Sequence, residues 1–304
     1  MECKRNVSEF LLMGLSSKQN TEVFCFIFFL FCYFTILSWN LLILFSIRCS
    51  SQFNQPMYYF LSHLASMDIC YTSCVTPKLI GDLLAERKTI SYTNCMLQVF
   101  AMHFFGMIEI LILTVMAFDR CVAICKPLHY MVIMSRNRCH VFIWASWVVG
   151  VAHSFPQVMM LVCLPFCGPN EIDHYYCDVF PLLKVACTDT YIIGVLMVAN
   201  SGWLPLLSLF SCLVHMLYCS HGITQQRGDA KLFQPVGPIY LWLFYSLDLP
   251  SLSTLDLLPL SLKTKSLHCF TLSLLLCSTP SYILEIQRRV PRRFGVRHFE
   301  KNTI

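Results

Sequence analysis

The sequence predicts an all-α integral membrane protein built as a bundle of helices, and three observations support this. Of its 304 residues, 56% are hydrophobic and only 13% are charged, whereas a soluble domain carries about a quarter charged residues. The apolar residues form stretches of roughly 20, the length of helix that crosses a hydrocarbon core of about 30 Å. Short polar or basic segments separate these stretches. A soluble fold could not bury so much apolar surface.

Five apolar runs have the length and composition of membrane-spanning helices. They lie at 23–47, 57–80, 97–119, 140–163 and 191–218. Two weaker candidates follow at 236–262 and 266–284. Beyond Pro238, the first of these contains two aspartates and two prolines, Asp248, Pro250, Asp256 and Pro259. An aspartate near a helix centre costs about 3 kcal/mol on insertion scales, so five spans are clear and the sixth is marginal.

Basic residues in the short loops place the amino terminus outside the cell, because lysine and arginine are retained on the cytoplasmic side. Arg48 follows the first span, and the segment after the third span holds Arg120, Lys126, Arg136 and Arg138. The segment between the fourth and fifth spans carries four acidic residues against one lysine and is predicted to lie outside. The triplet that begins at Asn6, Asn-Val-Ser, is an N-glycosylation acceptor on that side.

This topology divides the chain into four segments. They are an extracellular amino terminus at 1–22, five transmembrane helices at 23–218, an atypical segment at 219–284 and a basic cytoplasmic tail at 285–304. Such a tail binds anionic membrane lipid; a specific partner site is the alternative. The net charge of +5 does not indicate a nucleic-acid partner, because the basic residues form no patch interleaved with aromatic residues.

Asp68 and Glu109 are ionisable residues inside apolar spans, where charge is costly and marks a functional or structural polar network. We expect the two to face each other in the bundle interior, with Asn40 and a cation between them. The alternative is a hydrogen-bonded carboxyl group that burial keeps neutral. No nucleophile–base pair and no metal-ligand spacing stands out in the sequence, so we predict no enzyme, no cofactor and no metal site.

Four cysteines lie in the predicted outer segments, and they are Cys95, Cys167, Cys177 and Cys187. In an oxidising compartment they indicate two disulfides, and a bridge from the loop to the top of the third span would pin the loop as a lid. Free surface thiols are the alternative. At the inner face, Asp119 and Arg120 end the third span. Taken alone, this pair indicates only solvated charge at the membrane interface.

Four strings resemble motifs of vertebrate olfactory receptors, which are rhodopsin-like G-protein-coupled receptors. They are PMYYFLS at 56–62, MAFDRCVAIC at 116–125, KPLHY at 126–130 and LPFCGPN at 164–170. The resemblance extends over about residues 1–210. It implies a seven-transmembrane bundle in the plasma membrane that binds small volatile odorants and couples to a heterotrimeric G protein of the stimulatory class.

The resemblance also implies roles for individual residues. The implied disulfide pairs are Cys95 with Cys177 and Cys167 with Cys187. Asp119 and Arg120 would form the inner ionic lock and contact the G protein. The residues implied to line the odorant pocket are Met102, His103, Gly106 and Met107. Helical spacing agrees, since residues three and four apart share a face; core packing is the alternative for each of them.

The resemblance fails after about Phe210. The family's sixth span begins with a string of the type KALSTCGSHI, whereas this chain has KLFQPVGPI at 231–239. One set of codons for the family string, read one nucleotide later, yields KLFQPVGPI. The same shift converts the seventh-span string MLNPLIYT into CSTPSYI, which stands at 277–283. Because one shift recovers two distant motifs, we interpret the carboxyl-terminal third as translated out of frame.

The sequence therefore predicts an odorant receptor that signals poorly or not at all. In the family, movement of the sixth span opens the G-protein cavity, and that span is replaced here. A non-signalling membrane protein from a pseudogene-like reading frame is one alternative. A transporter is another, but it predicts an inverted repeat with broken spans in both halves, and the sequence has no such symmetry.

Overall fold

The computed structural model describes residues 7–13, 19–49, 55–167, 170–197 and 199–200, with single residues at 207, 210 and 214. The helices are α1 (Gln19–Cys49), α2 (Pro56–Leu84), α3 (Tyr92–Cys125), α4 (Tyr130–Ile133), α5 (Arg136–Val162) and α6 (Val179–Val185). Three short strands are β1 (Glu9–Leu12), β2 (Thr89–Ser91) and β3 (Glu171–Ile172), and a 3-10 turn covers Pro127–His129. Residues 191–197 are also helical.

The first four predicted spans correspond to α1, α2, α3 and α5, and each helix begins before its apolar run. Local signals explain two of these starts. Pro56 opens α2, where its missing N–H leaves no helical hydrogen bond unmade. The Ser91 side chain caps α3 by accepting a hydrogen bond from the Asn94 N–H at 3.4 Å.

Three helices of the described chain are long and apolar enough to cross a membrane. The stretches concerned are Glu22–Cys49, Tyr92–Ala123 and Arg136–Val162. Helix α2 has a similar length, 29 residues, but is more polar because it carries Asp68, Lys78 and Asp82. The length of α2 thus agrees with the predicted span at 57–80. Its polarity comes partly from Asp68, which lies inside that span.

Several predictions concern residues outside the described ranges and stay predictions. These are the glycosylation site at Asn6, the candidate spans at 236–262 and 266–284, the atypical segment at 219–284 and the tail at 285–304. The fifth predicted span, 191–218, is described only at its beginning and at the three single positions.

Helix α3 lies between α2 and α5, and α1 packs against the other side of α2. The helices α3 and α5 approach each other closely at Gly150. A Cβ atom added there would lie 2.9 Å from Ile108 Cγ1 and 3.3 Å from the Phe104 ring. A side chain at Gly150 would require Ile108 and Phe104 to shift, so the missing side chain allows the two helices to approach closely.

Strands β1, β2 and β3 form a small sheet beside the first turn of α3, a feature that the sequence analysis did not predict. We call these strands and residues 164–167 and 170–190 the cap. Strand β1 is central, antiparallel to β2 and parallel to β3. Phe10 is fully buried, with its ring 5.4 Å from that of Phe166. The amino-terminal segment therefore holds two connecting segments together, through a strand too short for an alternating pattern to reveal it.

The contact at Gly150 predicts a stability difference between two otherwise equivalent substitutions. Gly150→Ala adds a methyl group against Ile108, whereas Gly81→Ala adds one on α2 where no atom lies within 4 Å. Both changes improve helix propensity equally, so the difference isolates packing. We expect Gly150→Ala to unfold with a free energy about 1–3 kcal/mol lower than Gly81→Ala, measured by thermal unfolding in detergent micelles. Equal stabilities would contradict the close approach.

Candidate functional site

Asp68 on α2 and Glu109 on α3 lie together in the interior of the bundle. Their residues are 4% and 3% exposed, and the two carboxyl groups interact with each other. Two carboxylates that lie together where water is excluded repel each other, so the arrangement disfavours two ionised groups. The two residues thus face each other in the bundle interior; their expected network with Asn40 and a cation stays a prediction.

Asn40, the third residue of the expected network, is buried on α1. Its Nδ2 donates to the carbonyl oxygen of Ile36, one turn earlier on the same helix, at 3.1 Å. Within the described residues, Asp68 therefore interacts with Glu109, while the amide nitrogen of Asn40 donates within its own helix. The described part of the chain contains no group of three or more side chains suited to hold a metal ion.

The residues implied to line a ligand pocket face different neighbours. Met102 packs against a cluster that includes Phe29 of α1 and Tyr176 of the cap, and Met107 is buried. Met102 and His103 are both partly buried.

His103 and Gly106 lie on α3 between α2 and α5. The His103 ring centroid is 6.3 Å from that of His153 on α5. A Cβ atom added at Gly106 would lie 3.5 Å from the Tyr71 ring of α2, which is ordinary van der Waals contact. These two α3 residues thus border both neighbouring helices at the level of the predicted pocket.

Helix α5 contributes polar side chains that the sequence analysis missed. His153 Nε2 lies 3.3 Å from Gln157 Nε2, and Asn200 Nδ2 donates to the carbonyl oxygen of His153 at 3.2 Å. His153 and Gln157 are buried. Their signal was present in the sequence, since two polar residues four apart share one face of an otherwise apolar helix.

At the end of α3 opposite the cap, Asp119 interacts with two residues. Arg120 Nη2 lies 3.5 Å from Asp119 Oδ2, and the Tyr130 hydroxyl donates to Asp119 Oδ1 at 2.8 Å. Burial, together with the neighbouring Asp119 carboxylate, raises the pKa of the Tyr130 phenol, so this hydroxyl remains a donor at physiological pH. Tyr130 belongs to the string KPLHY, but nothing in that string indicates its partner.

The structure contains both implied disulfides, Cys95–Cys177 and Cys167–Cys187, with Cα atoms 5.4 and 5.8 Å apart. The first joins the cap to the first turn of α3. Asp178 follows immediately and caps α6 by accepting a hydrogen bond from the next backbone N–H at 2.8 Å. Burial raises the pKa of the Asp178 carboxyl group, and this hydrogen bond opposes the rise.

From the carboxyl pair we expect stability to tolerate loss of the charge at Glu109 but not loss of its polar contact with Asp68. Glu109→Gln keeps a donor and an acceptor for Asp68 and should change the free energy of unfolding by less than about 1 kcal/mol. Glu109→Leu leaves the buried Asp68 carboxyl group without that partner. It should lower the free energy of unfolding by about 1–3 kcal/mol. Thermal unfolding in micelles measures both. If Glu109→Leu were as stable as Glu109→Gln, the polar contact with Asp68 would contribute nothing.

The chain is similar in sequence to olfactory receptors. A sequence model described as olfactory receptor matches residues 28–251. Olfactory receptor 4S2 of Homo sapiens is 56% identical over 231 residues, which is 76% of this chain and 74% of the relative.

Two further relatives agree. Olfactory receptor 4B13 of Mus musculus is 50% identical over 69% of this chain and 69% of its own length. Olfactory receptor 4X2 of Homo sapiens is 52% identical over 66% of this chain and 67% of its own length. The chain belongs to the olfactory receptor family, a rhodopsin-like family of seven-transmembrane receptors that are not enzymes.

Proposed function

We propose that this chain is an odorant receptor of the plasma membrane that binds a small volatile molecule but does not activate a G protein. The observation that carries the receptor assignment is the family match over residues 28–251, which includes the carboxyl pair, the predicted pocket and the Asp119–Arg120 pair. The loss of signalling rests on the sequence after Phe210.

An extracellular amino terminus is supported from both ends of the bundle. Strand β1 lies in the cap, which holds both disulfides, and disulfides persist in oxidising compartments such as the cell exterior. The opposite helix ends carry basic residues, among them Arg48, Arg120 and Arg136, as expected for cytoplasmic ends. The two ends therefore agree on one orientation.

The predicted pocket is suited to a small, mostly apolar ligand. Met102, His103 and Gly106 lie about two to three turns below the disulfide on α3, and the cap lies at that end of the bundle. The imidazoles of His103 and His153 supply polar groups within an apolar surrounding. A few polar groups in an apolar cavity are typical of small-molecule sites, where they orient the ligand.

The opposite end of α3 has the arrangement expected of a receptor at rest. Arg120 is paired with Asp119, and Tyr130 holds the same carboxylate. Contact with a stimulatory G protein would require Arg120 to leave this pair. We propose that the replaced sixth span cannot drive that release.

The altered carboxyl-terminal third supports the loss of signalling. The string KLFQPVGPI at 231–239 and the aspartates and prolines at 248–259 stand where the family has its sixth span. Internal prolines remove backbone hydrogen bonds and kink helices, and aspartate opposes insertion into the membrane. The transporter alternative has no support, because the family comparisons all concern olfactory receptors.

Restoring the reading frame tests this proposal. Cells expressing the chain as it stands, with an amino-terminal tag, should show no odorant-evoked cyclic-AMP rise above an empty vector across a broad odorant panel. A version returned to the family frame after Phe210 should reach the surface more often and respond to some of the odorants. Surface labelling of the tag and a cyclic-AMP reporter provide the two readouts.

Arg120→Ala in the frame-restored version is the matched control. It should remove the cyclic-AMP response while leaving surface labelling in place, which ties the response to G-protein contact. A robust response from the unaltered chain would show that the frame change does not impair signalling. Failure of the restored version to respond, despite normal surface labelling, would contradict the assignment of the defect to the frame.

A further inference from the structure

Gln98 joins three elements at the junction of the cap and the bundle. It lies one turn after Cys95 on α3 and is 6% exposed. Its Nε2 donates to the carbonyl oxygen of Cys74 on α2 at 3.1 Å. Its Oε1 accepts a hydrogen bond from the backbone N–H of Cys177 at 2.9 Å.

The two partners fix the orientation of the Gln98 amide. A backbone N–H only donates and a backbone carbonyl only accepts, so the oxygen must face Cys177 and the nitrogen must face Cys74. Reversing the amide would place two donors together and two acceptors together. The side chain therefore forms a directional bridge from the cap, through α3, to α2.

The Cys95–Cys177 disulfide does not by itself provide this restraint. It links two side chains through several rotatable bonds, so the backbone of the cap can turn about the link. Gln98 holds the backbone N–H of the same residue, Cys177, from the next turn of α3. Attachment at two successive turns restrains both the position and the direction of the cap segment.

Burial raises the cost of losing the hydrogen bond between the Cys177 N–H and Gln98. Cys177 is fully buried, and a buried backbone N–H that loses its partner cannot turn to water without local opening of the structure. The neighbouring Tyr176 packs in the same aromatic cluster as Met102, which lies one turn beyond Gln98. Displacement of the Cys177 segment would therefore also displace the aromatic side chains above Met102.

We propose that Gln98 is a positioning residue that sets the placement of the cap over α2 and α3, with the disulfide acting as a tether. The cap and the adjoining ends of both helices then open and close as one unit. The proposal concerns this part of the bundle alone and holds whether or not the chain signals.

Hydrogen exchange of the purified full chain in lipid nanodiscs, with mass-spectrometric readout, tests the proposal. Gln98→Met is similar in length and removes both hydrogen bonds. It should speed exchange in peptides containing Tyr176 to Asp178 by about tenfold, the effect of losing one buried hydrogen bond. The helical peptides of α2 and α3 beyond the junction should exchange as in the wild type.

Two further variants separate the contributions. Gln98→Glu, in the protonated form that burial favours, keeps the oxygen that accepts from Cys177 and offers an O–H to the Cys74 carbonyl oxygen. It should return exchange of the cap peptides close to the wild-type rate. Leu97→Met places a methionine on the same turn of α3 but on its exposed side, since Leu97 is 61% exposed, and should leave exchange unchanged. Peptide mapping without reductant should find the Cys95–Cys177 bridge intact in all three variants.

Three results would overturn the proposal. Unchanged exchange of the cap in Gln98→Met would show that the disulfide alone positions the segment. Equal acceleration in Gln98→Met and Gln98→Glu would show that the acceptor is not the group that matters. Accelerated exchange throughout α2 and α3 in Gln98→Met would give Gln98 a general role in folding the bundle.

Discussion

The packing of α3 between α2 and α5 is the interaction on which the rest of the described structure depends. Every predicted site except Asn40, Asn6 and part of the disulfides lies on α3 or against it, so the position of this one helix sets their geometry. Gly150 allows α5 to approach Ile108 and Phe104 closely. A looser contact would separate the histidines of α3 and α5.

Polar contacts occur at three levels along α3, and at each level the participating residue Gln98, Glu109 or Asp119 is buried. Gln98 connects to the cap and α2, Glu109 to Asp68, and Asp119 to Arg120 and Tyr130. In a low dielectric a hydrogen bond is stronger, and an unpaired polar group is more costly, than in water. These contacts therefore fix the rotation and depth of α3 relative to its neighbours. Apolar packing alone specifies that placement less sharply, because lipid tails are as apolar as the side chains that would pack there.

The carboxyl-terminal third illustrates the difference between hydrophobicity and a specified fold. Under the proposed frame displacement, thymine-rich codons still yield leucine, phenylalanine and serine, which would account for the apolar character of this segment. The same displacement would not preserve the placement of polar, small and proline residues in the family strings. A sequence whose local composition fits membrane helices without that placement would be expected to specify one structure less well.

The sequence by itself determined the all-α membrane class, four helices to within about a turn at most ends, and the family, because apolar length and short motifs are local properties. It also indicated Asp68 and Glu109, since charge inside an apolar run is visible without a structure. Only the tertiary structure decided which groups meet. The hydrogen bond between Gln98 and Cys177 joins residues 79 apart. The Tyr59 hydroxyl lies 2.7 Å from Nδ1 of His140, a residue 81 positions further along the chain. Strand β1 pairs with strands far along the chain. Helical periodicity shows which face a residue occupies but not which helix lies opposite, so these partners depend on how the bundle packs.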